Sequence, residues 1–283
     1  MDVIKVDKMT KDYGSGRGIF NVSLHVEPGE VFGFLGPNGA GKSTTIRHLM
    51  GFSAPDSGSA SIFGRESFGH YYEFLGRVGY IPGEVALPRG LTGCEFISMM
   101  QSMQGVRNDA KLKEMLSRFE LDKNTLKQET KRMSLGVKRK LAVVTAFMHD
   151  PEVLVLDEPT SGLDPVMQES FIDYIHAEKH RGKTILLSSH IFSEIDSTCD
   201  RVALINNGHI ADIANMQDIR NRKNKDFKLE FNKHDDYARF LEAGYPIKRL
   251  QEQYNQVTIT VATEDTDVLL KTLRGYDVRF ISE

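Results

Sequence analysis

Residues 36–44 read GPNGAGKST, and the apolar run Val31–Leu35 leads directly into them. The stretch satisfies G-x-x-x-x-G-K-[ST], with Gly36, Gly41, Lys42 and Ser43 at the fixed positions. A strand that feeds such a loop predicts a cradle for phosphate groups. Backbone N–H groups must come close to the anion, and a Cβ at Gly36, Gly39 or Gly41 would obstruct that approach. From Lys42 onward a helix should open with its positive end toward the anion. Lys42 supplies a mobile point charge, and the Ser43 hydroxyl suits Mg²⁺, which takes oxygen ligands in octahedral geometry.

The bulk composition narrows the class. The chain has 283 residues, with 36 basic against 39 acidic side chains and a net charge of −3. That balance gives no global attraction to nucleic acid or an anionic membrane. Two cysteines, Cys94 and Cys199, lie far apart, which fits a reducing cytosol better than a disulfide framework or a zinc site. The opening MDVIKVDKMT lacks the apolar core of a signal peptide, and no apolar run approaches the ~18 residues of a membrane span. A soluble protein is expected.

Residues 3–35 alternate apolar and polar positions around glycine turns, as a small antiparallel sheet leading into the loop would. From Thr92 the period becomes helical. Thr92 and Glu95 form a capping box before Phe96, Ile97, Met99, Met100 and Met103, and Leu112, Met115, Leu116 and Phe119 mark a second amphipathic helix. These methionines are expected in a helical core, and the insert spans about residues 90–150. Uniformly apolar Val153–Leu156 and Thr184–Leu187 predict parallel strands, with Asp164 and Pro165 starting the helix between them. Residues 201–210 predict a hairpin turning at Asn206, Asn207 and Gly208. After a polar linker at 220–226, the periods run strand 227–231, helix 235–243, strands 247–250 and 256–261, helix 265–274 and strand 277–282. That order predicts a ferredoxin-like split βαβ unit; a simple tail packed on the core is the alternative.

In VLVLDEPT, Asp157 ends a buried strand 115 residues beyond Lys42, at a strand end of the kind that opens onto ligand crevices. Asp157 is the expected partner of Mg²⁺, and Glu158 beside it is placed to accept a proton from water. Two neighbouring buried carboxylates are costly without a cation, which strengthens the metal reading.

With these motifs together, residues 1–215 resemble the ATP-binding subunit of an ABC transporter. The resemblance rests on GPNGAGKST, MSLGVKRK at 133–140, VLVLDEPT, SGLD at 161–164 and LLSSH ending at His190. It implies an α/β fold: a RecA-like P-loop NTPase core with an N-terminal antiparallel β subdomain and an α-helical subdomain. The chain would divide into an ATP-binding domain over 1–219 and a small α+β accessory domain over 220–283. It implies ATP and Mg²⁺ as cofactors, with Tyr13 stacking on adenine and the loop residues Gly36, Pro37, Asn38, Gly39, Ala40, Gly41, Lys42, Ser43 and Thr44 around the phosphates. Ser43 and Asp157 would hold the metal, with Glu158 and His190 catalytic. Ser134, Gly136 and Asp164 would act across a head-to-tail dimer, formed with a second copy or with another ATP-binding subunit.

Two departures from the family pattern stand out. In VGYIPGE, Gly83 occupies the position of a common glutamine, which leaves Mg²⁺ ligation from that loop open; Gly83 as a plain turn residue after Pro82 is an equal reading. Leu135 and Val137 replace a glycine and a glutamine of the signature. Such signatures are similar to those of bacterial drug and antibiotic exporter ATPases that serve a separate permease. The implied function is ATP hydrolysis driving export, with the protein cytoplasmic and peripheral at the inner face of the membrane. A soluble ATPase acting on ribosomes or nucleic acid is the alternative, and a non-hydrolysing ATP-binding regulator a third; no nucleic-acid partner is expected. The cluster Lys131, Arg132, Lys138, Arg139 and Lys140 reads as a solvated charged face.

Overall fold

The computed structural model describes residues 2–220 and 224–283. The chain divides into two compact units, through Met216 and from Gln217. In the first, β1 (Ile4–Asp12), β2 (Gly18–Val26) and β3 (Val31–Leu35) precede α1 (Lys42–Leu49). Then come β4 (Ser57–Ile62), β5 (Arg65–Glu66), the one-turn α2 (Ser67–His70) and β6 (Val78–Ile81). The helical insert holds α3 (Gly93–Gln104), α4 (Asp109–Arg118), α5 (Lys123–Leu126) and α6 (Leu135–Phe147). β7 (Val153–Asp157), α7 (Pro165–His180), β8 (Thr184–Ser189), α8 (Phe192–Thr198), β9 (Arg201–Asn206) and β10 (His209–Asn215) complete it, before α9 (Met216–Arg220).

Two sheets share one core. The antiparallel sheet runs β2-β1-β4-β5, and the larger one runs β10-β9-β3-β8-β7-β6. Within the larger sheet all neighbours from β9 to β6 are parallel, and only the β9–β10 hairpin is antiparallel. β3 therefore belongs to the parallel sheet, which corrects the expectation that residues 31–35 extend the antiparallel one. Its run VFGFL is buried on both faces, as a central parallel strand requires, whereas β1 and β2 alternate. Ile4, Val6, Val22 and Leu24 from one sheet meet Phe32, Phe34, Val155 and Leu186 from the other, with Ile46 and Leu49 of α1 between them.

The capping box of α3 forms as expected: Thr92 Oγ1 accepts from Glu95 N and a Glu95 carboxylate oxygen accepts from Thr92 N at 2.7 Å. Phe96, Ile97, Met115 and Phe119 are buried, but Met103 is 74% exposed and does not join the core. It lies in the last turn of α3, before Gly105 caps the helix. The insert is anchored on α7 by Phe147 and Phe119, whose ring centroids lie 4.9 and 6.4 Å from that of Tyr174.

The second unit contains β11 (Asn224–Phe231), α10 (His234–Leu241), β12 (Ile247–Gln251), β13 (Gln256–Ala262), α11 (Thr266–Leu273) and β14 (Val278–Ser282). Its sheet order, β12-β13-β11-β14, is all antiparallel and is the ferredoxin-like arrangement. Alternate residues Phe227, Leu229 and Phe231 of β11 pack with Val257, Ile259, Phe240 and Leu269 in a core of its own. Of the linker expected at 220–226, residues 221–223 lie outside the described residues, while Asn224–Asp226 already belong to β11.

Candidate nucleotide-binding site

The parallel register brings four strand ends side by side. Leu35 pairs with Ser189, Asp157 with Ser188, and Ile81 with Leu156, so the chain leaves β3, β8, β7 and β6 at one edge of the sheet. At that edge lies a cavity of about 450 Å³, lined by Asn38, Gly39, Gly41, Lys42, Ser43, Thr44, Arg47, Tyr80, Pro82, Gly83, Glu84, Asp157, Glu158 and Ser161. Its volume lies in the range that takes small ligands.

The loop from β3 is shaped by its glycines for reasons only partly foreseen. Gly41 caps α1 at φ 113°, a conformation that side-chain-bearing residues rarely adopt. A Cβ at Gly36 would collide with the Ile205 carbonyl of β9, so this glycine answers to packing against the sheet rather than to phosphate access. No acidic residue occupies the first turn of α1 and no side chain caps it, which leaves its N–H groups directed at the cavity. Lys42 Nζ donates to the carbonyls of Gly36 at 2.7 Å and Pro37 at 3.2 Å, curling the loop around the ammonium. Pro37 and Ala40 shape the loop without lining the cavity, Ala40 being buried.

Opposite this loop, Asp157 is 2% exposed and its Oδ1 accepts a 2.6 Å hydrogen bond from Ser188 Oγ. Glu158 has φ 45°, in the left-handed region where a glutamate is strained. Its N–H donates to both Ser188 O and Ser188 Oγ, so the end of β8 holds the turn in place. The Glu158 carboxylate stands 3.1 Å from Lys42 Nζ through Oε1 and 3.3 Å from His190 Nδ1 through Oε2. Lys42, Asp157, Glu158 and His190, from three different strand ends, are thus brought together at one edge of the sheet.

Four other predicted residues lie outside the cavity lining of their own chain. Ser134 caps α6, accepting from Val137 N at 3.3 Å, which leaves its O–H free to donate. Gly136 lies against Gly162, where a Cβ would be 3.3 Å from the carbonyl oxygen. Asp164 caps α7 by accepting from Met167 N. Tyr13 is exposed on the β1–β2 connection, with Lys11 Nζ 5.9 Å from its ring.

Arg47, Tyr80, Pro82 and Ser161 also line the cavity; Tyr80, Pro82 and Ser161 lie within the quoted segments VGYIPGE and SGLD without having been assigned to the site, and Arg47 lies in no quoted motif. Tyr80 has its phenol pushed up to about 12, chiefly by burial and then by the Asp157 charge. Within the basic cluster, Arg139 overturns the reading of a solvated face: it is 3% exposed and faces inward. Gly83 is more than a turn residue. A Cβ there would lie 2.9 Å from Asp157 Oδ2 and 3.6 Å from Ser43 Oγ, so a side chain at this position would press on the carboxylate.

Comparison with known proteins agrees with this geometry. The family described as ABC transporter matches residues 19–161. The bacitracin transport ATP-binding protein BcrA of Bacillus licheniformis is 38% identical over 230 residues, 80% of this chain and 75% of that protein. The uncharacterized ABC transporter ATP-binding protein YhcH of Bacillus subtilis is 31% identical over 99% of this chain and 92% of its own length. Among solved structures, an ATP-binding subunit of an ABC transporter superposes with a TM-score of 0.71 at 30% identity, covering 77% of this chain and 92% of that one. A dimeric cassette, MJ0796, bound to ADP and Pi shares the fold at a TM-score of 0.67 and 20% identity, over 75% of this chain and 98% of that one. Family, relatives and strand-end geometry agree, and the chain belongs to the ABC transporter family as an ATP-binding subunit.

Proposed function

We propose that this subunit binds ATP with Mg²⁺ in the strand-end cavity, hydrolyses it with Glu158 as the base, and drives export through a separate membrane permease. The observation that carries the reading is the convergence of Lys42, Ser43, Asp157 and Glu158 on one cavity. Lys42 and the α1 N–H groups offer positive charge to the β- and γ-phosphates. Glu158, held between Lys42 and His190, is aimed by two partners and takes the proton of the attacking water. His190 keeps that carboxylate in register.

The donor set fits magnesium. Asp157 Oδ2 and Ser43 Oγ both face Gly83, and both are hard oxygen ligands. Among the described residues no cluster of three or more His, Cys, Asp or Glu could hold a metal. A two-ligand protein site leaves the remaining positions to phosphate oxygens and water, as Mg²⁺ prefers. When bound, the ion neutralises charge developing on the phosphates.

Ser134, Gly136 and Asp164 lie outside the cavity lining of their own chain; the family resemblance assigns Ser134 and Gly136 to the phosphates held by a second cassette and Asp164 to the contact across that dimer. That partner is a second copy or a different ATP-binding subunit. The family resemblance assigns Tyr13, exposed on the β1–β2 connection, to adenine. No described helix is long and apolar enough to cross a membrane. Membrane attachment is therefore assigned to the permease, at the inner face of the membrane. Exposed Phe52, Phe68, Tyr71 and Tyr72 form an aromatic patch that reaches the cavity through Tyr80, whose ring centroid is 5.5 Å from that of Phe52. A cytoplasmic helix of the permease would dock there. The unit from Gln217 is assigned as an accessory domain. Isolation of the tagged protein from native membranes tests the proposal: a multi-span protein should co-purify and ATP turnover should respond to it. Recovery of ribosomes or DNA alone would overturn it.

A further inference from the structure

The helical insert reaches the cavity through a residue that phosphate chemistry does not call for. Arg139 lies in α6, five positions after Ser134, and makes no ion pair among the described residues. Its guanidinium donates instead to three main-chain carbonyls: Nη1 to Pro82 at 2.8 Å, Nη2 to Gly83 at 2.6 Å and Nε to Ser161 at 3.1 Å. Pro82 and Gly83 follow β6, and Ser161 follows β7, so one side chain grips two separate walls of the cavity.

A buried arginine without a carboxylate partner is costly unless other groups answer its charge. Burial pushes this guanidinium down, and the charges of Asp157 and Glu158 pull it back up. The planar fork presents its donors in fixed directions, which a lysine ammonium cannot reproduce. What the fork holds is also specific. A Cβ at Gly83 would come within 2.9 Å of Asp157 Oδ2, closer than a side chain tolerates, and would sit in ordinary contact with Ser43 Oγ at 3.6 Å. Past Ile81 the chain has left the sheet, so no strand ladder fixes residues 82 and 83 at that distance.

We propose that Arg139 is a positioning residue that holds the Pro82–Gly83 backbone against Asp157 and Ser43 and ties Ser161 to the same grip. Displacement of α6 then shifts both walls of the site together. The inference rests on the cavity being the ATP site, and it adds a mechanical link from the insert to the carboxylate end of that site. Glycine at 83 and arginine at 139 form a matched pair: the one permits the close approach, the other enforces it.

A double-mutant cycle on the full-length protein tests this. Arg139→Met, Arg139→Lys, Gly83→Ala and the double variant Gly83→Ala/Arg139→Met are compared with wild type. ATP affinity is titrated in EDTA, and steady-state hydrolysis is measured against ATP and against Mg²⁺. The expected result for Arg139→Met is a kcat lower by about tenfold or more, since small misplacements at a reacting centre are expensive. Its EDTA affinity should stay within about twofold of wild type, because Lys42 and the loop are untouched. Arg139→Lys should recover only part of the loss. Gly83→Ala should raise the Mg²⁺ requirement in wild type but add little once Arg139 is gone, because the released backbone has room to move. Where Arg139→Met does not accumulate as folded protein, Arg139→Gln replaces it in the same cycle. Wild-type kcat in the Arg139 variants, or strictly additive losses in the double variant, would overturn the inference while leaving the ATP site standing. Absence of ATP binding by wild type would overturn both.

Discussion

Lys42 Nζ lies 3.1 Å from Glu158 Oε1, so the cation of the phosphate loop and the carboxylate at the end of β7 are direct partners. The Lys42 side chain is 4% exposed, and its ammonium has two further acceptors in the Gly36 and Pro37 carbonyls. One charge thus serves the loop's shape, the carboxylate's position and the incoming phosphates, and the two residues should fail differently when removed. Lys42→Ala should weaken ATP binding by about 10- to 100-fold, the size of a lost charge-assisted hydrogen bond of about 1.5–3 kcal/mol. Glu158→Gln keeps the shape and the loop, so ATP binding should persist while hydrolysis falls by about 10²–10⁴. Equilibrium titration and phosphate release on the same preparations separate the two, and full turnover by Glu158→Gln would rule out its role as base.

A second prediction concerns acid stability. Asp150 sits between Arg181 and Lys183, with Arg181 Nη1 at 2.9 Å and Nη2 at 2.8 Å from its two oxygens. Hydrogen bonds from Arg181, joined by Lys183, hold its carboxyl well below the usual aspartate range despite partial burial. Beside it, burial alone would push Glu178 up, but Lys111 at 3.0 Å, together with Arg181 and Lys183, holds it down. Both carboxylates therefore bind a proton less readily folded than unfolded. Their contribution to stability is complete above about pH 4–5, where the unfolded carboxylates are ionised, and is lost as pH falls below that. The part of the apparent Tm owed to this pair should be flat from pH 8 to about 5 and then drop. Asp150→Asn should lower Tm at pH 7 and flatten the acid limb. An acid limb as steep as that of wild type would show that other groups control it.

The parts of the site that were legible in the sequence are those written in consecutive residues. GPNGAGKST after an apolar strand and VLVLDEPT at the end of another state both a local structure and a chemistry. Their meeting follows from the rule that parallel strand ends face one crevice. The alternation of β11 and β13 and the order of helices around them likewise foretold the ferredoxin-like unit. Other features depend on partners distant in sequence. Arg139 stands among four other cations and reads as solvated, because nothing local announces that the Pro82, Gly83 and Ser161 carbonyls will surround it. The residues SGSASI of β4 lack the apolar alternation of a strand, since much of this strand is exposed and it is held by pairing with β1 rather than by side-chain burial. Sheet membership of β3 was misplaced for a related reason: short range shows that a segment is extended, not which neighbour it pairs with.

The last prediction concerns a carboxylate that does not line the cavity. Glu194 in α8 is buried, and its Oε1 and Oε2 accept 2.6 Å hydrogen bonds from Thr160 Oγ1 and Ser189 Oγ. Thr160 lies two residues after Glu158, and Ser189 immediately precedes His190. Ser189 Oγ also accepts from Ile191 N at 2.9 Å, which fixes the chain on the far side of His190. One carboxylate thus braces the turns carrying the proposed base and its histidine neighbour. Removing it would leave two buried hydroxyls short of an acceptor, a loss of about 1–3 kcal/mol in stability. Glu194→Gln keeps one acceptor oxygen and should be the milder change. Since the 3.3 Å approach of His190 to Glu158 depends on these turns, Glu194→Ala should lower kcat by about tenfold while KM for ATP changes little. The measurement is steady-state ATP hydrolysis below the melting transition of each variant. Intact kcat in Glu194→Ala with a lowered Tm would confine Glu194 to a purely structural part.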